Sequence, residues 1–412
     1  MHSEKRRPRP HNPMPESPYE VLALFTGAMV GASLLIMSTG TLMPSFNSAL
    51  HLSQAQMGWL LSIQFIGSVA MTSVAGALTD RFGDRTVVLW SGAIMGVALI
   101  AASAVQSYAW LISWLLVYGI GYAAVTPAGS HAIIFFFKKS DRGFAMGVRQ
   151  CGVPLAGVIG SLLLPAIALR FDYRYSLVTA GILTLVACSI ASRLYREPQE
   201  LEGERVSLRA MLIEMVVIAR DTRLILLTLT SMVLICGQLA LMGFLTLTLV
   251  HRAGYSLGLA LSIFTLSQVA AIFGRLAWGW ISDHVFAGSR TLPLATNCIL
   301  VALAALGIAS IDAGTPPWIA VLLALALGFT AEGWIGVSVI GFAEIGGEEH
   351  AGSALGVGLT WTLLAAFATP ALFGALAQVH GYDVAWRAVA LLAAFGVVPA
   401  LLASRGAAAL KT

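Results

Sequence analysis

Three ionisable residues stand inside long apolar stretches of this chain: Arg149, Arg275 and Glu332. A charge in such surroundings is costly and is kept where it does chemistry or meets another charge. The planar guanidinium fork holds a carboxylate with two hydrogen bonds and does not deprotonate, so Arg149 and Arg275 are candidates for binding an anion. Glu332, within Gly328-Phe329-Thr330-Ala331-Glu332-Gly333-Trp334, is the one carboxylate well inside an apolar stretch. A carboxyl group so placed can load and release a proton. Each residue has a plainer reading beside the chemical one. Arg149 could snorkel to lipid head groups, and Arg275 and Glu332 could form a structural salt bridge.

Uncharged polar residues outline a pocket around these charges. Gln268 lies seven residues before Arg275, two helical turns away, and so shares its face. Trp114, Tyr118 and Tyr122 recur every four residues and offer a stacking wall. Gln238, Gln64 and Trp361 are further candidate contacts, although such residues commonly serve as packing between helices. His131 reads as packed rather than catalytic. Trp59, Trp110, Trp318 and Trp386 fall near the ends of apolar runs and read as interfacial anchors. The four cysteines, Cys151, Cys188, Cys236 and Cys298, sit inside apolar runs and form neither a disulfide framework nor a metal knuckle. No phosphate-cradling loop and no catalytic or metal-ligand cluster is present, so no cofactor, no metal and no enzyme activity is expected.

Elements able to position such residues follow from composition. Hydrophobic residues make up 58% of the 412 and charged residues 11%, where a soluble domain carries about a quarter charged. A soluble enzyme, a disordered chain and a nucleic-acid binder are thereby excluded. About 20 apolar residues span a bilayer as a helix. Apolar runs fall at 21–44, 55–78, 86–106, 109–137, 143–169, 174–193, 223–250, 256–281, 291–311, 317–342, 351–378 and 384–404. Each is a predicted span, giving an all-α membrane protein of twelve transmembrane helices in two pseudo-symmetric six-helix bundles.

With the N-terminus inside, Lys and Arg divide 18 to 4 between the inner and outer loops. The positive-inside rule then puts both termini in the cytoplasm. The expected parts are a polar tail (1–18), a first bundle (19–193), a charged central loop (194–222), a second bundle (223–404) and a short tail (405–412). From Ser207 to Ile218 the loop turns semi-apolar at helical spacing, which fits either a helix on the inner membrane surface or a plain linker.

An internal repeat supports the division. Gly76-x-Leu78-x-Asp80-Arg81-x-Gly83-x-Arg85 follows the second span, and Gly279-x-Ile281-x-Asp283-His284 follows the eighth, with the aspartates 203 residues apart. The first copy resembles the loop 2–3 signature of the major facilitator superfamily, and the second its loop 8–9 counterpart. Asp84 departs from the pattern, which commonly has a basic residue there. The resemblance implies a monomer working by alternating access. In the family this loop is taken as a conformational latch between the halves, here Gly76, Asp80, Arg81, Gly83, Arg85 and Asp283, with Arg85 also able to meet anionic lipid. The segment from Arg142 to Gly157 is similar to the fifth helices of organic-anion and antiporter branches, though Val153 intervenes where antiporters have Gly directly before Pro. Pro154 frees a carbonyl and bends the span, which suits either rocking or mere packing.

Arg275 matches a helix-8 arginine that monocarboxylate-type facilitators are thought to use on the substrate carboxylate. The expectation is therefore an inner-membrane secondary transporter moving a small organic anion, such as a carboxylate, with protons. Arg149, Arg275, Gln238, Gln268, Tyr118, Tyr122 and Trp361 would contact substrate, and Glu332 would couple the proton. The alternatives are a proton-driven efflux antiporter for drugs or metabolites, and uptake of an uncharged nutrient such as a vitamin or sugar.

Overall fold

The computed structural model describes residues 17–104, 107–138, 141–196 and 217–409. Most of the central loop and both tails lie outside these residues. The helices are α1 (Pro18–Leu50), α2 (Gln54–Ser103), α3 (Tyr108–Phe136), α4 (Arg142–Gln150), α5 (Gly152–Arg170) and α6 (Tyr173–Leu194), followed by α7 (Thr222–Arg252), α8 (Leu257–His284), α9 (Thr291–Ala309), α10 (Pro317–Ala331), α11 (Ile335–His380) and α12 (Tyr382–Ala409). No strand occurs among the described residues. A helix satisfies its own backbone, which lipid cannot do, so runs this apolar have no other stable form.

Eleven described stretches are long and apolar enough to cross a membrane. The limb of α2 from Gln54 to its break at Gly83 makes the twelfth passage. The breaks in α2 and α11 sit at Gly83 (φ 80°) and Gly347 (φ 66°), a backbone region that glycine enters without steric cost. Polar caps mark where passages begin. Ser53 and Gln56 exchange hydrogen bonds as a capping box at the start of α2, and Asp172, Asp221 and Ser256 cap α6, α7 and α8.

Two predicted spans are not continuous. The fifth, expected over 143–169, is α4 and α5 meeting at Cys151. The tenth, expected over 317–342, is interrupted from Glu332 to Trp334, between α10 and α11. There Gly333 turns tightly, its N–H on Thr330 O at 3.2 Å, in a gap bounded by Phe329 O and the Trp278 ring that no side chain would fit. Both spans still serve as single membrane passages. One expectation fails at Trp386, which is fully buried rather than interfacial. Its indole N–H donates to Thr248 Oγ1 at 2.8 Å, and its ring meets Phe373 edge-on at 5.4 Å. Trp59, Trp110 and Trp318 are exposed on the outer surface of the bundle.

Helices of the first half pack on one another, as do those of the second, and the halves meet along three seams: α2 on α11, α5 on α8 and α1 on α7. The α2–α11 seam closes the face remote from the start of α1. Gly58 approaches the Pro370 carbonyl there, Ala371 N donates to Ser62 Oγ at 3.0 Å, and Ala55 N donates to Gln378 Oε1 at 3.2 Å. In the middle, Gly40 lies against the main chain of Met242 and Gly243. Along α5 and α8, Ser161 Oγ meets Thr265 Oγ1 at 2.7 Å and Gln268 fills the space over Gly157.

Candidate functional site

The break after α10 aims Glu332 at α8. Its Oε1 accepts a hydrogen bond from Gln268 Nε2 at 2.7 Å, and its Oε2 lies 3.6 Å from Arg275 Nη2. Gln268 and Arg275 thus reach one carboxylate from two turns of the same helix face. The carboxylate is 0% and the Arg275 side chain 3% exposed. Arg275 Nη1 donates to the main-chain oxygen of Gln150 at 2.8 Å, so a residue of the second half is bonded to α4 of the first.

Arg149, one residue before Gln150, is 1% exposed. Its Nη2 donates to Ser130 Oγ of α3 at 2.9 Å, while its Nε and Nη1 have no hydrogen-bond partner. The guanidinium lies against Gly129, in space shared with Phe25. Burying an ion without a counter-ion costs several kcal/mol, and no described ion pair offsets that cost for Arg149. Arg275 Nε, Gln268 Oε1 and Gln238 Oε1 are also buried without partners. The cluster holds two guanidinium groups against one carboxylate.

Tyr122 stands near both arginines, within electrostatic range of each, and its hydroxyl is 3.5 Å from Ser33 Oγ of α1. Tyr118 stacks on it at 6.3 Å between centroids and donates to the carbonyl of Ala32. Gln64 is buried and donates to Thr39 Oγ1 at 3.1 Å. Gln238 is 5% exposed on α7, its amide 3.9 Å from Met242 Sδ. Trp361 stands apart, 52% exposed on α11, with no described contact to the cluster.

The signature loops do not join this cluster. Gly83 forms the break in α2, the Arg81 guanidinium lies 5.2 Å from the centre of the Phe82 ring, and Arg85 is exposed. The side chains of Gly76 and Asp80 lie outside the described residues. Asp283 pairs with Arg290, which also holds Glu344 of α11 at 2.9 Å. Two groupings escape sequence reading. One is Asp84, fully buried, with His131 Nδ1 at 3.0 Å and the Tyr195 hydroxyl at 3.2 Å. The other is Ser130 and the Gln150 carbonyl on the two arginines; the carbonyl was findable, because it lies four residues before Pro154. Among the described residues, no three of His, Cys, Asp and Glu converge to hold a metal.

The sequence profile of the Major Facilitator Superfamily matches residues 24–370. An uncharacterized MFS-type transporter of Mycobacterium tuberculosis is 28% identical over 391 residues, covering 94% of this chain and 86% of its own length. The 3-(3-hydroxy-phenyl)propionate transporter of Escherichia coli is 26% identical over 265 residues, 64% of each chain. The agnestins efflux protein of Paecilomyces divaricatus is 23% identical over 331 residues, covering 80% of this chain and 73% of its own. A bacterial homologue of the human lysosomal transporter Spinster, inward-facing and unoccupied, shares the fold with a TM-score of 0.74 at 16% identity, covering 94% of this chain and 96% of that one. Twelve passages in two like bundles, charges buried where the bundles meet and a profile match over most of the length give one conclusion: the chain belongs to the major facilitator superfamily and is a multi-pass membrane transporter of small molecules, not an enzyme.

Proposed function

We propose that the protein moves a small organic anion, a carboxylate in particular, together with protons. The observation that carries this reading is Arg149, buried with two guanidinium nitrogens unpartnered and no carboxylate paired with it among the described residues. A bound carboxylate would supply the missing acceptors and the missing charge. Arg275 offers a second donor set from the other half, so one anion can bridge the bundles. Glu332 holds Arg275 while ionised; when a proton neutralises it, the guanidinium is free to take the anion. Tyr118, Tyr122, Gln268 and Gln238 complete the proposed contact set, and Trp361 is its weakest member. The Escherichia coli relative, whose name specifies an arylpropionate, supports a carboxylate.

In this reading the membrane is a bacterial inner membrane. The tails (1–18 and 405–412) and the central segment (194–222) face the cytoplasm, and residues 19–193 and 223–404 form the two bundles. The paired signatures, Asp80 and Asp283 included, act as a latch on that face. A second reading, proton-driven export of metabolites, is favoured by the efflux proteins among the relatives; Val153 before Pro154 speaks against it.

The test is uptake of labelled 3-phenylpropionate into proteoliposomes with an inside-alkaline pH gradient. Accumulation about tenfold above a gradient-free control, equivalent to 1.4 kcal/mol, is expected, and it should vanish when an ionophore collapses the gradient. Accumulation of lipophilic cations under the reversed, inside-acid gradient, with no carboxylate taken up under the first, would transfer the case to the efflux reading.

A further inference from the structure

Pro154 has no N–H, so it cannot bond the carbonyl four residues earlier in its helix, that of Gln150. The neighbouring rungs are intact: Cys151 N donates to Gly147 O at 3.1 Å and Leu155 N to Cys151 O at 3.0 Å. The carbonyl that the proline releases from the ladder is the one that accepts from Arg275 Nη1 at 2.8 Å. A buried carbonyl left without a donor is costly, and a charged donor forms the stronger kind of hydrogen bond. The proline therefore creates, in the first half, the acceptor that a charged residue of the second half occupies.

Arg275 thereby stands between two holders. Glu332, itself fixed by Gln268, holds it from its own bundle side, and the Gln150 oxygen holds it from the other. Further along the same seam the contacts are a hydroxyl pair and a glutamine over a glycine, which carry no charge. Among the described contacts between α4–α5 and α8, the Arg275–Gln150 bond is the charge-assisted one. A rocking motion that parts α5 from α8 must break it.

We propose that Pro154 is a positioning residue for transport: by releasing the Gln150 carbonyl it supplies the docking point of Arg275, and this charge-assisted bond strengthens the hold of α4–α5 on α8 until ligand or proton draws the guanidinium away. This inference concerns the movement of the bundles and is independent of which substrate is carried. Restoring an N–H at 154 gives the Gln150 carbonyl an in-helix donor that competes with Arg275 and weakens its hold.

Cys151 is a resident probe of the seam. It is half-buried, with its Sγ 4.0 Å from the Ile272 carbonyl of α8. In a full-length chain carrying Cys188→Ala, Cys236→Ala and Cys298→Ala, alkylation of Cys151 by N-ethylmaleimide reports how often α5 and α8 part. Pro154→Ala is expected to raise the labelling rate about tenfold, equivalent to 1.4 kcal/mol, and Arg275→Gln to do the same. Because both changes act on one bond, the double variant should label no faster than the faster single variant. Should Arg275→Gln strand the Glu332 carboxylate and fail to fold, Arg275→Gln with Glu332→Gln removes both charges and serves in its place. Labelling unchanged or slowed by Pro154→Ala, or effects that multiply in the double variant, would overturn the proposal. Neither outcome bears on the carboxylate reading, which is decided by uptake.

Discussion

Arg275 and Glu332 face each other at 3.6 Å across a gap in the tenth passage, with the carboxylate fully buried. Because the helix is interrupted at Glu332, the carboxylate is held by side chains of α8 and not by a rigid turn of its own helix. Their separation is longer than a direct hydrogen bond, and Gln268 fixes the carboxylate by its other oxygen at 2.7 Å.

Removing one member of this pair leaves a buried charge, which costs about 3–5 kcal/mol. Arg275→Ala is therefore expected to lower the melting temperature of the purified protein sharply. Adding Glu332→Gln should recover much of the loss, since both charges are then gone. A double variant no more stable than Arg275→Ala would show that the pair is not coupled.

Coupling through Glu332 predicts a specific split in transport. Glu332→Gln mimics the protonated form permanently, so counterflow exchange of labelled substrate should persist while gradient-driven accumulation disappears. For the parent protein, accumulation should grow as the outside is acidified, because the proton enters with the anion. Accumulation by Glu332→Gln that still follows the pH gradient would remove the residue from the coupling step.

At Arg149 the fork matters as well as the charge. Arg149→Lys keeps the charge but loses bidentate geometry, and is expected to raise the KM for a carboxylate by about tenfold, equivalent to 1.4 kcal/mol. Arg149→Gln should lose transport altogether while gaining thermal stability, because the uncompensated buried ion is removed. An Arg149→Gln protein that is less stable than its parent would mark the residue as structural.

Closure of the remote face rests on the Gly58–Pro370 approach. A side chain at 58 would strike the main chain of α11, so Gly58→Val should hold that face open. Substrate binding by thermal shift should survive, with net transport reduced by at least about tenfold, or 1.4 kcal/mol. Transport at the parental rate would show that the seam parts elsewhere.

Trp386 and Trp318 make a matched pair of substitutions. Trp386→Phe loses the bond to Thr248, and hydrogen bonds between membrane helices average about 0.6 kcal/mol, rising to about 1.7. Trp318→Phe, on an exposed side chain, should change stability by less than about 0.5 kcal/mol. Equal effects, read by reversible unfolding in detergent, would contradict the burial difference.

The contrast between these two tryptophans also shows what the residue string conveys. Both lie near the end of an apolar run, and that much is legible; which face each takes depends on neighbours far along the chain, here Thr248, 138 positions away. The spans themselves were readable because bilayer thickness dictates their length, and Arg149, Arg275 and Glu332 because charge is scarce in them. The Gln268–Arg275 face followed from helical spacing and meets at Glu332 as that spacing requires. Asp84 was not readable in the same way: it sits among loop charges in sequence, and only tertiary packing brings His131 and Tyr195, 47 and 111 positions away, around it. The gap at Glu332 escaped for a related reason, since Gly333 there lies close to Trp278 and Gly274 of α8, more than 50 positions away, with no room for a side chain.

The three seams between the halves are engaged at once in this structure, with Arg149 and Glu332 sealed from solvent. With the halves joined along all three seams, a buried group such as Arg149 meets a solute only when a seam parts, so the frequency of parting sets a ceiling on throughput.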